Sequence, residues 1–220
     1  MTHQPRTPRT ITIDALLFDL DGTLIDSTAA TERAWRTWGE RMGLDGFSYS
    51  SHGVPARALV EQSVEPSRHD EAFELIKELE LEDTAGVVRK EGAARLLASL
   101  PGRAWTIVAS CTRDLAAVRM AAAGISAPDH MVTADQVSAG KPHPEPFLLG
   151  ASRLGVDIGR CLVVEDAPAG LASGRSAGAV TLAVAGTSTA SELDSDHVVG
   201  SLADVAAVPL PDGRIQVTLA

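Results

Sequence analysis

The chain has 220 residues, with 19 Lys and Arg against 29 Asp and Glu, and a formal net charge of −10. That acidity argues against nucleic acid or an anionic membrane surface as a partner, and the length suits one α/β domain carrying a small insertion. Two cysteines, Cys111 and Cys161, give no disulfide framework and no apolar run is long enough to span a bilayer, so a cytoplasmic setting is expected.

Residues 1–10, with Pro5, Arg6, Pro8 and Arg9, read as a flexible tail. The first strand is predicted over 11–19 and ends in the apolar run Ala15-Leu16-Leu17-Phe18. A helix is predicted over 28–42, because Ala34, Trp35, Trp38 and Met42 fall on one face among Glu32, Arg33, Arg36 and Glu40. Gly43 and Gly46 stop it, and two more helices follow over 55–65 and 67–81, separated by Pro66. The stretch 27–90 holds no convincing strand, so it reads as a helical insertion after the first strand. From residue 91 the pattern alternates: helix 91–100, strand 104–109, helix 112–123, a short strand near 130–133, helix 144–154, strand 161–165, helix 168–177 and strand 179–184. Such alternation predicts right-handed βαβ units and a parallel sheet. Pro211-Asp212-Gly213 and Ile215-Gln216-Val217 suit a terminal hairpin. Cys161 reads as a small core residue, whereas Cys111 sits in a loop where a reactive thiol is conceivable.

The string Asp19-Leu20-Asp21-Gly22-Thr23-Leu24-Ile25-Asp26-Ser27 places two carboxylates two residues apart where a buried strand ends in a Gly-Thr turn. Ligands of open α/β sheets bind at such strand ends. Neighbouring carboxylates repel, so the pair makes sense if a cation lies between them or if the two do different jobs. An acidic turn between strand and helix is the plain alternative. Glu165-Asp166, at the end of a second apolar strand, has a similar alternative, with Asp166 capping the next helix. Ser110 after a strand is commonly a helix cap, and Lys141 between Gly140 and Pro142 sits on a loop whose backbone proline restricts.

The nine-residue string resembles the first motif of the haloacid dehalogenase-like superfamily, most of whose members are phosphatases. Three further segments match that superfamily in order: Thr106-Ile107-Val108-Ala109-Ser110, Gly140-Lys141-Pro142-His143-Pro144-Glu145-Pro146-Phe147, and Leu162-Val163-Val164-Glu165-Asp166-Ala167-Pro168-Ala169-Gly170. The resemblance implies a Rossmann-like doubly wound parallel sheet over 11–26 and 91–220, with 27–90 as a small helical cap domain that closes over the site. It implies Asp19 as the nucleophile that takes the phosphoryl group. Asp21 becomes the acid that protonates the departing alkoxide and the base that later activates water. Mg²⁺ is the implied cofactor, held by Asp19, the backbone carbonyl of Asp21, and Asp166, with Thr23 and Glu165 supporting. Ser110 and Lys141 are implied to bind phosphate, Lys141 by neutralising both Asp19 and the transferring group.

Within the insertion, Glu32-Arg33-Ala34-Trp35 and His52-Gly53 look like the branch that hydrolyses phosphates of small sugars and polyols. Members of that branch often carry a basic residue two positions after the glycine; this chain has Pro55 there and offers Arg57 instead. Glu32, His52, Gly53 and Arg57 are therefore the expected substrate-side residues. The expectation is a Mg²⁺-dependent phosphatase, monomeric, whose partner is a small phosphorylated metabolite. A phosphosugar mutase of the β-phosphoglucomutase kind shares every core residue. A non-catalytic binding protein is the rival of a different class; its mark would be loss of Asp19, Asp21, Lys141 or Asp166, and all four are present.

Overall fold

The computed structural model describes residues 8–49, 56–186 and 193–220. Along the chain run β1 (Arg9–Ile13), β2 (Ala15–Phe18), β3 (Ile25–Asp26), α1 (Thr28–Met42), α2 (Ala56–Ser63), α3 (His69–Glu82) and β4 (Val88–Arg89). Then come α4 (Ala93–Ser99), β5 (Trp105–Ile107), α5 (Arg113–Ala123), α6 (Glu145–Leu154), β6 (Cys161–Glu165), α7 (Pro168–Ala177), β7 (Val180–Val184), β8 (His197–Val199), β9 (Val205–Pro209) and β10 (Ile215–Leu219).

Every residue of β2 and of β6 is buried, the continuous run expected of parallel strands covered on both faces. The two strands pair in parallel at the centre of a sheet ordered β5-β2-β6-β7-β8. Val108 adds a parallel bridge to Val132 beyond β5. Counted along the chain, the backbone order across the sheet is then 3-2-1-4-5-6, the Rossmann-like arrangement, with its reversal of direction between β2 and β6. Period-two alternation sends Leu16, Phe18, Leu162 and Val164 to one face, packed with Leu96, Met120 and Leu202. Ala15, Leu17, Cys161 and Val163 face the other way, against Phe147 and Ala151.

Between β3 and β4 the chain leaves this core and forms a helical cap with a hydrophobic centre of its own. Ala34, Trp35, Trp38 and Met42 of α1 pack there with Val60, Ala72, Ile76 and Leu79. Trp38 Nε1 donates to the Ala72 carbonyl at 2.7 Å, binding α1 to α3. The excursion starts and finishes on adjacent backbones, since Ile25 and Asp26 pair antiparallel with Arg89 and Val88.

The helix over 28–42 falls where its periodicity puts it, but several expectations need correction. The first strand is split at Asp14, and β1 belongs to a separate antiparallel sheet, β1-β10-β9. Arg9 and Thr10 are therefore strand residues, paired with Leu219 and Thr218 rather than part of a tail. Asp14 turns the backbone there: its N–H donates to the Arg160 carbonyl at 2.8 Å and its carboxylate pairs with the Arg160 guanidinium. The stretch 27–90 does contain a strand, the two-residue β4, too short to show a period. The expected strand near 130–133 is reduced to the one bridge at Val132. Among the described residues no helix is long and apolar enough to cross a membrane.

Candidate active site

The ends of β2 and β6 lie side by side at the reversal point of the sheet, which brings together residues far apart in sequence. Asp19 leaves β2 with its N–H donated to the Val164 carbonyl at 2.9 Å. Lys141 Nζ, buried, donates to Asp19 Oδ1 at 2.6 Å, to Glu165 Oε1 at 2.8 Å and to the Val108 carbonyl at 2.8 Å. All three ammonium protons are thus used. Glu165 Oε2 accepts the backbone N–H groups of Asp166 and Ala167, each at 2.9 Å, at the start of α7. Both of its carboxylate oxygens are engaged, so Glu165 serves to place Lys141 and the backbone of Asp166. Thr23 Oγ1 donates to Asp166 Oδ1 at 3.2 Å.

Two glycines make this approach feasible. Gly22 has φ +93°, and a Cβ there would collide with the Asp166 carboxylate; a Cβ at Gly170, in the first turn of α7, would collide with that of Glu165.

Burial pushes the Asp19 carboxyl well above the usual carboxylate range, with Glu165 and Asp166 adding to the push and Lys141 opposing it. Burial alone would lower Lys141, but the Asp19 and Glu165 charges outweigh it and hold the ammonium protonated. Asp19, Glu165 and Asp166 offer carboxylate oxygens within 4.8 Å of one another, and Asp19 Oδ2 is buried without a hydrogen-bond partner. An all-oxygen donor set with an orphaned carboxylate oxygen fits a hard divalent cation. Such a cation would reverse the upward push on Asp19.

Asp21 has a separate environment. Its Oδ1 accepts from Ser27 Oγ at 2.6 Å and from Arg119 Nη1 at 3.1 Å. Ser27 sits at the N-cap of α1 but makes no side-chain capping bond, its hydroxyl going to Asp21 instead. Arg119, on α5, was not singled out by sequence motifs, nor was Glu80 on α3. A sign of both was nevertheless present. Arg119 interrupts the buried stripe Leu115, Ala116, Met120 and Ala123, and Glu80 follows Ala72 and Ile76 at helical spacing.

A cavity of about 220 Å³ opens between core and cap. From the core it is lined by Asp19, Asp21, Ser110, Lys141 and Asp166, and from the cap by Trp35, Tyr49, Phe73, Lys77 and Glu80. Burial first, and the Glu80 charge next, push the Tyr49 hydroxyl up to about 12. Arg57 also lines the cavity, but its guanidinium is engaged by Glu61 at 2.8 Å and Asp70 at 2.9 Å and lies over the Phe73 ring. Glu32 is exposed on α1 and is not among the lining residues. His52 and Gly53 fall outside the described residues. Cys111 lines the cavity too, yet burial, with the Asp21 charge second, pushes its thiol well up against the opposing charge of Arg119, contrary to the expectation of reactivity.

A doubly wound sheet with paired aspartates after its first central strand, a buried lysine and a second acidic strand end defines a class of hydrolase. The family model for haloacid dehalogenase-like hydrolases matches residues 13–178, and the chain belongs to that family. Among curated proteins it is 38% identical over 212 residues to hexitol phosphatase A of Escherichia coli, covering 90% of this chain and 96% of that one. It is 34% identical over 195 residues to glycerol-1-phosphate phosphohydrolase 1 of Saccharomyces cerevisiae, covering 82% and 78%. Among solved structures, a hydrolase from Pseudomonas syringae superposes with a TM-score of 0.75 at 24% identity, over 86% of this chain and 94% of the other, a likeness of fold.

Proposed function

We propose that the protein is a Mg²⁺-dependent phosphatase of small phosphorylated sugars or polyols, working through an aspartyl-phosphate on Asp19. The observation that carries this reading is Asp19 itself: one oxygen held by Lys141 and the other unpartnered, at the floor of a cavity roofed by the cap. The relatives named above act on a hexitol phosphate and a glycerol phosphate by their names, which supports the substrate class.

In the first half-reaction an Asp19 carboxylate oxygen bonds to phosphorus as the bond to the alcohol oxygen breaks, and Asp21 gives the departing alkoxide its proton. In the second, Asp21 takes a proton from water as that water displaces Asp19 and releases phosphate. Lys141 offsets charge on Asp19 and on the transferring group, and Ser110, at the mouth of α5, adds a hydroxyl and an N–H for a phosphoryl oxygen. Asp19, Asp166 and the Asp21 carbonyl would hold Mg²⁺, which when bound supplies neutralising charge for the phosphoryl oxygens. Residues 27–90 act as the lid that selects the ester. The cap's cations that line the cavity are already paired, Arg57 with Glu61 and Asp70 and Lys77 with Glu74, which favours a monophosphate over the bisphosphate a mutase must retain. The free thiols suit a cytoplasmic compartment.

The test is phosphate release from hexitol, hexose and glycerol monophosphates with Mg²⁺, after chelation, and for Asp19→Asn. The expected outcome is turnover that chelation removes and Mg²⁺ restores, with none from a folded Asp19→Asn protein. Full turnover by that variant would overturn the covalent route, and a phosphoryl group returned to a second hydroxyl of a hexose phosphate would show a mutase.

A further inference from the structure

The geometry points to Arg119 as a positioning residue that makes the aim of Asp21 depend on the seating of the cap, an inference that rests on the phosphatase reading above. Arg119 is a core residue, on α5, with its side chain 5% exposed. Its partners come from both sides of the cavity. Nη1 donates to Asp21 Oδ1 of the core at 3.1 Å, while Nη2 donates to Thr31 Oγ1 of α1 at 2.8 Å and to Glu80 Oε1 of α3 at 3.2 Å. Thr31 and Glu80 both belong to the cap, and both are buried. Nε is buried with no partner, so the guanidinium has no surplus of bonds from which one is easily lost.

A buried cation is costly unless it is paired and hydrogen-bonded. Here two of the three acceptors, Glu80 among them, are in place only with the cap seated. Lifting α1 and α3 away removes two of the three acceptors and admits water, leaving Asp21 with a guanidinium free to swing. Seating the cap fixes the guanidinium from above and, through it, the Asp21 carboxylate below. Oδ1 is then occupied by Ser27 and Arg119, which leaves Oδ2 for the proton of the alkoxide and of the attacking water. Proton transfer is thereby confined to the closed site, where an ester is enclosed.

The experiment compares wild type, Arg119→Met, Arg119→Lys and Glu80→Gln, using glycerol phosphate and p-nitrophenyl phosphate. The p-nitrophenolate group leaves with little need of a proton, so its release in the first turnover reads formation of the aspartyl-phosphate without Asp21. Steady turnover of either ester needs Asp21 as base, and glycerol phosphate needs it as acid as well. The expected result for Arg119→Met is a fall in kcat on glycerol phosphate of about tenfold or more, part of the roughly hundredfold or greater contribution of a positioned general acid–base, with KM changed far less. The p-nitrophenolate burst is retained. Arg119→Lys, which keeps the charge but not the fork, is expected to recover part of kcat, and Glu80→Gln to lose kcat in the same sense. A folded Arg119→Met protein with wild-type kcat would overturn the inference, as would equal losses in burst rate and turnover. If that variant does not fold, Glu80→Gln decides, unchanged kcat overturning the inference and a kcat-selective loss supporting it. Wild-type protein inactive on both esters would overturn the phosphatase reading and this inference together; active wild type with insensitive variants overturns the inference alone.

Discussion

Gly170 carries as much of the site's geometry as any charged residue. It stands in the first turn of α7 where the Glu165 carboxylate folds back over the helix start, and a single methyl group there would occupy the position of Oε1. Gly170→Ala is therefore expected to displace Glu165, and with it the ammonium of Lys141 and its 2.6 Å bond to Asp19. A small misplacement of a positioned group costs up to about a hundredfold in rate, so phosphate release should fall roughly tenfold or more. The far-UV circular dichroism should be retained, since alanine suits a helix better than glycine does. Wild-type turnover by Gly170→Ala would mean that Lys141 holds its place without Glu165. Local sequence announced Asp19, Asp21, Lys141 and Asp166 as candidates, the aspartates because they follow strands within distinctive strings and Lys141 because it stands in a Gly-Lys-Pro loop. Arg119 and Glu80 carry no such string. Their roles arise from a meeting of α5 with α1 and α3, and only the break in an otherwise apolar stripe marks them.

Elements were legible where their reasons are local. The helix over Thr28–Met42 follows from its own apolar stripe and its stop at Gly43, which adopts a left-handed conformation. By contrast β1 merges in sequence with β2, and its true partner, β10, lies at the far end of the chain. The strand β8 (His197–Val199) carries no signal in the sequence for a related reason: three residues show no period, and tertiary contacts hold it. One of those is Asp196, just before β8. Its Oδ2 accepts from the Thr181 N–H at 2.8 Å and Oγ1 at 2.9 Å, at the start of β7. The backbone N–H of Thr181 first, and its hydroxyl among the lesser causes, hold the Asp196 carboxyl below its usual range. A folded value that is depressed contributes stability that is fully present above the unfolded value, about 3.9, and is lost as pH falls through the folded one. The stability gap between wild type and Asp196→Asn, read by denaturant titration, is accordingly expected to be level above about pH 5 and to shrink in acid. A gap that widened as pH fell would contradict that assignment.

At the scale of the whole molecule, the helical cap departs from and rejoins the sheet through the two-residue strands β3 and β4, where Ile25 faces Arg89. Neighbouring strand backbones lie only about 5 Å apart, so a loop of almost any length closes there at little extra entropic cost. Heritable change can thus replace one roof by another without re-threading the sheet, keeping the reaction while altering its clientele. Arg119 sets a condition on such grafts. A transplanted roof that presents no carboxylate where Glu80 now stands would leave the buried Arg119 cation with Asp21 as its one carboxylate partner, and the hybrid is expected to melt earlier than one that carries an acid there. Thermal unfolding of two grafts differing only in that residue would measure the condition. The lineage can exchange what covers the pocket, provided each newcomer brings its own counter-charge.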